Sequence, residues 1–99
     1  MAKRKRIIWT PQAKLDRYDI LKFYADAGTN IIALRKIDYQ FRNSIKHLSI
    51  FPNLGKTLAN QNERIIHSGY YNIIYKILDD AIQILQIWDN RRNPDDLKI

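Results

Sequence analysis

The chain has 99 residues, the length of one small domain, with 45% hydrophobic residues and 17 Lys+Arg against 10 Asp+Glu, a net charge of +7. It lacks cysteine, and His47 and His67 stand apart with no metal-ligand spacing around them, so neither a disulfide nor a metal or other cofactor is expected. No apolar run approaches the roughly 18 residues of a membrane span, and no apolar stretch follows the basic N-terminus as a signal peptide requires, so the expected location is the cytoplasm, away from membranes.

Residues 1–6 form a basic arm, in which Lys3 to Arg6 read KRKR. Such a run is either a solvated terminus or a contact to an acidic partner, whether RNA, DNA or an acidic protein segment. Arg6 to Trp9, RIIW, is β-branched and aromatic and reads as a strand. Thr10 then suits a helix N-cap and Pro11 the first helical position, where a missing N–H costs nothing. Leu15, Tyr18, Leu21 and Ala25 form the expected apolar stripe, widened by Ile20, Phe23 and Tyr24, and Gly28 is the expected terminator.

Thr29 and Asn30 are positioned to cap a second helix, whose apolar residues Ile31, Leu34, Ile37, Phe41, Ile45 and Leu48 hold the helical period over five turns. The short connection makes the two helices an antiparallel hairpin. Phe51 to Gly55, FPNLG, reads as a turn, and KTLANQN after it as an exposed loop.

The period then changes to two. ERIIH, YYNIIYKIL and AIQILQIW are separated by Ser68-Gly69 and Asp79-Asp80, which predicts three consecutive antiparallel strands. In the middle strand Tyr71, Ile73, Tyr75 and Ile77 share one face, and Asn72, Ile74, Lys76 and Leu78 the other. Both faces carry apolar residues, so one is expected to cover the helices and the other to need a second cover, such as a partner. The order is β-α-α-β-β-β: a single α+β domain over 1–99, its helical hairpin packed on a mostly antiparallel four-stranded sheet, with a C-terminal tail at 89–99.

With these pieces in order, the chain resembles the RelE/ParE superfamily of toxins from type II toxin–antitoxin pairs, from about Ile7 to Pro94. The stretches that carry the resemblance are IIWTPQAKLD, LSIFPNLGK, GYYNIIYKI and ILQIWDNRRNP; the long helical hairpin is most similar to the ParE branch and plasmid-stabilisation proteins. The resemblance implies a growth-arresting toxin held by a cognate antitoxin in a hetero-oligomer. It implies one of two activities: ParE-like inhibition of DNA gyrase by binding, or RelE-like, metal-independent endoribonuclease cleavage of mRNA on the ribosome. A non-toxic basic binding module is the third reading.

The candidate residues are Arg64, Asp89, Arg91 and Arg92. Guanidinium groups grip phosphates or carboxylates bidentately, so Arg64, Arg91 and Arg92 are the expected target- or anion-binding residues. If the outer strands flank the middle one, these strand ends can face the same side of the sheet. RNA cleavage also needs a base and an acid. Relatives with a sequence similar to HGRR carry a histidine after the last strand, where this chain has Asp89 and Asn90. Asp89 either transfers a proton or orders the tail by pairing with Arg91 or Arg92. Tyr71, Tyr75, Trp9 and Trp88 are read as core residues and His67 as an exposed one.

Overall fold

The computed structural model describes residues 4–59 and 62–90. Its elements are β1 (Arg6–Trp9), α1 (Pro11–Asp26), α2 (Ile31–Ile50), a 3-10 turn (Pro52–Leu54), β2 (Lys56–Thr57), β3 (Glu63–Ser68), β4 (Tyr71–Ile77) and β5 (Ala81–Asp89). Local chemistry sets the boundaries. Thr10 caps α1 by accepting the Ala13 N–H at 3.2 Å, and Asn30 caps α2 by accepting the Ala33 N–H at 2.9 Å. Gly28, between the helices, takes φ 88°, a conformation that side chains disfavour.

The sheet has five strands in the order β1-β5-β4-β3-β2. β1 runs parallel to β5, from Arg6↔Ala81 to Trp9↔Ile84, and the other pairs are antiparallel. The expected count of four is corrected by β2: Lys56 and Thr57 lie in the segment read as a loop, yet pair with Ile65 and Arg64. Two residues are too few to show a period, so this strand exists only through its partner. The first tight turn also moves by one residue, since Ser68 stays in β3 and Tyr70 leaves β4.

The expected face of β4 covers the helices. Tyr71, Ile73 and Tyr75 join Ile66, Ile82, Ile84 and Ile87 against Phe41, Ile45 and Leu48 of α2. Helix α1 departs from expectation. Leu15, Tyr18 and Phe23 are exposed, whereas Ile20 and Tyr24 do face inward, joined by Ala13. Two polar residues of α1, Asp16 and Arg17, make specific bonds to other elements. Asp16 Oδ2 accepts the Ile87 N–H at 2.9 Å, on the edge of β5 beyond the end of β1. Arg17 forms a two-pronged pair with Asp38 at 2.6 and 2.8 Å, and its guanidinium lies over the half-buried Trp9 ring, 5.4 Å from the centroid.

The second face of the sheet is also unlike its expectation. Ile74 is 0% exposed, and Asn72 and Trp88 are each 8% exposed, so this face is already closed where Asn72 pairs with Trp88 and Ile74 with Gln86. The exposed apolar surface lies mainly on the helical hairpin, at Leu15, Tyr18, Phe23, Ile31, Ile32 and Tyr39.

Asp16→Ala should therefore destabilise the domain by about 1–3 kcal/mol, because it strips the acceptor from a partly buried backbone N–H. Asp19→Ala, at an exposed position on the same helix, should stay within about 0.5 kcal/mol. Denaturant unfolding of both variants checks the difference.

Candidate functional site

Arg64 and Asp89, the two sequence-derived candidates among the described residues, do not meet. β3 and β5 both run antiparallel to β4, so the start of one and the end of the other lie at opposite ends of the sheet. Arg64 stands in the row Arg64–Tyr75–Ile84 and Asp89 in the row Ser68–Tyr71–Asp89. The rows share a face but are four β4 residues apart, about 13 Å along the strand. Arg91 and Arg92 lie outside the described residues. They follow Asn90, whose N–H donates to the Tyr70 carbonyl at 2.7 Å, and the buried Trp88, which anchors that end of β5.

Arg64 instead works on the FPNLG turn. Its Nη1 donates to the carbonyls of Gly55 at 2.7 Å and Asn53 at 3.4 Å. From β4, the Tyr75 hydroxyl accepts the Gly55 N–H at 2.8 Å and donates to the Pro52 carbonyl at 2.7 Å. A Cβ on Gly55 would lie 2.7 Å from that hydroxyl and 2.8 Å from the Ile65 carbonyl, so the turn requires glycine there for lack of space. Burial raises the Tyr75 phenol above its ordinary pKa, against the opposing pull of the Gly55 N–H and the Arg64 charge.

A polar row on the opposite face went unread in the sequence. His67, Asn72 and Asn90 come from β3, β4 and the end of β5. Asn72 donates its amide to Asn90 Oδ1, which leaves Asn72 Oδ1 to accept from His67 Nδ1. That bond orients the imidazole through Nδ1. Asn72 is nearly buried and His67 exposed. The signal available in the sequence was a lone asparagine amid β-branched residues. His67 also lines a groove with His47, Ser44, Leu54 and Lys56, beside the part of β3 that β2 does not cover. Among the described residues, no three His, Asp or Glu side chains gather as a metal site, and no helix is long and apolar enough to cross a membrane.

The sequence matches the family described as the ParE toxin of the type II toxin–antitoxin system, parDE, over residues 7–94. The chain belongs to the ParE toxin family. It is thus a ParE-type toxin of a type II toxin–antitoxin system. Two solved structures share the fold of this ParE-family toxin. The chromosomal ParDE system from P. aeruginosa matches at TM-score 0.74 and 18% identity, covering 89% of this chain and 98% of that one. The toxin–antitoxin complex RelBE2 from Mycobacterium tuberculosis matches at TM-score 0.62 and 19% identity, covering 87% and 98%. No curated protein matches the sequence.

Tyr75→Phe removes a hydroxyl that makes two hydrogen bonds and should cost about 1–3 kcal/mol at neutral pH. Because the folded-state pKa is raised, the unfolded chain ionises first as pH climbs past about 10, and the wild type loses stability there. The variant lacks that component, so the gap between the two should narrow above about pH 10. Denaturant melts of both proteins across that range test the sign.

Proposed function

We propose that this toxin arrests growth by ParE-like inhibition of DNA gyrase through binding, and that a cognate antitoxin neutralises it in a hetero-oligomer. The family match over residues 7–94 carries this reading. The separation of Arg64 from Asp89 supports it, since RNA cleavage needs its cations and proton-transfer groups around one phosphate. In this reading Arg91 and Arg92 are the anion-binding residues at the end of β5, meeting acidic side chains or phosphates of the target. Leu15 and Tyr18, exposed one turn apart on α1, offer an antitoxin segment apolar surface to cover. The two structural relatives are toxin–antitoxin systems, which favours such a partner.

One observation favours a second reading, ribosome-dependent mRNA cleavage. The His67 imidazole, oriented by Asn72 in a groove that Lys56 also lines, has a form suited to taking a proton from a 2′-hydroxyl.

Purified toxin should inhibit DNA supercoiling by gyrase, and its induction in bacteria should give filaments and DNA-damage signalling. The double variant Arg91→Ala/Arg92→Ala should lose both effects while circular dichroism reports an intact fold. Codon-positioned 5′ ends in mRNA within minutes of induction, abolished by His67→Ala and accompanied by unaffected supercoiling, would replace the gyrase reading with the second one.

A further inference from the structure

The positive charge of the described chain is unevenly placed. Helix α1 carries three Lys/Arg and three Asp, whereas α2 carries four Lys/Arg and one Asp. On α2, Arg35, Tyr39, Arg42 and Lys46 follow one another at spacings of 4, 3 and 4, so at 100° per residue they fall within an arc of about 60°. All four are exposed, Tyr39 to 66%. The stripe extends about 16 Å along the helix axis.

Its one carboxylate neighbour is already engaged. Asp38 takes both prongs of Arg17 and lies 3.8 Å from Arg42, which leaves the Arg42 guanidinium 67% exposed. Beside the stripe, Leu21, Ile31 and Leu34 line a shallow apolar groove bordered by Arg35, Tyr39, Arg42 and the Arg17-paired Asp38. At its other end, Arg42 and Lys46 line a second groove with Arg4 and Lys5, over Ile7, Trp9 and Ile45. Arg42 borders both grooves. Lys5 is partly occupied by the Leu78 and Asp79 carbonyls, but neither carbonyl neutralises its charge.

A row of cations with an exposed aromatic ring among them, beside an apolar channel, matches the needs of a single strand of nucleic acid. Its phosphates take the cations, and an unpaired base stacks on the ring. An acidic protein segment would use the cations but gives the tyrosine no comparable flat partner. A duplex, with its bases already stacked, would likewise leave the ring unused. We infer that the α2 stripe is a binding track for single-stranded nucleic acid, with Arg35, Arg42 and Lys46 on the phosphates and Tyr39 under a base. This assignment goes beyond the gyrase reading and stands whichever target that reading has, because it concerns a direct contact of the toxin alone.

The test is fluorescence anisotropy of labelled oligothymidylate with the purified chain, repeated across a salt series. Arg35→Gln/Arg42→Gln/Lys46→Gln should weaken binding at least tenfold and flatten the logarithmic salt slope by about 2, from roughly 0.7 per lost phosphate contact. Tyr39→Ala should weaken binding by roughly five- to a hundredfold through lost stacking, with the salt slope unchanged. A duplex of the same length should bind more weakly and be indifferent to Tyr39. Thermal melts confirm that the variants, all changed at exposed positions, remain folded. Unchanged affinity and slope in the triple variant would overturn the proposal and move any binding to Lys3–Arg6 or to Arg91 and Arg92. So would Tyr39→Ala binding like the wild type, or tighter binding of oligoglutamate at matched charge.

Discussion

The pairing of β1 with β5 organises the molecule. It is a short parallel ladder between the first and last strands, and α1 begins directly after it at Thr10. The Thr10 hydroxyl reaches the Ile84 carbonyl at 2.8 Å and the Leu85 carbonyl at 3.2 Å, while its oxygen also caps the helix. Asp16, further along the same helix, takes the Ile87 N–H. The edge of β5 is therefore met first by β1 and then by side chains of α1, so no further strand is needed along that stretch. These bonds fix where α1 crosses the sheet. The short turn at Gly28 then fixes α2, and with it the position of everything α2 displays.

Much of this frame was legible in the sequence because local chemistry and periodicity agreed. Thr10, Pro11, Gly28 and Asn30 mark the helix ends, and the alternation through Tyr71, Ile73 and Tyr75 marks the inward face of β4. The inward face of α1 was legible only in part: Ile20 and Tyr24 were read there, but Asp16 and Arg17, which also face inward, were not. Hydrophobic patterning assigns such residues to water, and only their partners, Ile87, Asp38 and Trp9, show why they are inside. The candidate residues illustrate a related limit. Arg64 was correctly placed near the start of a strand, but Asp89, read as the first residue of the tail, is the last residue of β5 and pairs with Tyr71; strand direction decides which ends meet, and these two do not. The His67–Asn72–Asn90 row spans three strands and has no linear signature at all.

Two of the stretches that carried the family resemblance prove to be one device. FPNLG and the strand YNIIYKI are separated by a loop and β3, yet Tyr75 and Arg64 pin the turn to the sheet through its backbone. A close approach at Gly55 makes the arrangement intolerant of a side chain. Pinning the turn in this way also positions β2, whose two residues begin immediately after it. The sheet's second face closes with the chain's own side chains. The exposed apolar surface is instead concentrated on the helical hairpin.

The parallel ladder also constrains the order of events during synthesis. β1 and α1 are made first, but β1 has no strand beside it until β5 exists, more than seventy residues later. The α2 helix and the β3–β4 hairpin rest on contacts closer in sequence and can form earlier. A growing chain thus passes through a stage in which Ile7, Trp9 and the inward side of α1 lack the strand they are built to cover. The interval before β5 arrives is when the molecule is most open to capture by a helper or to aggregation. A late closure of the sheet thus separates making the chain from completing its fold.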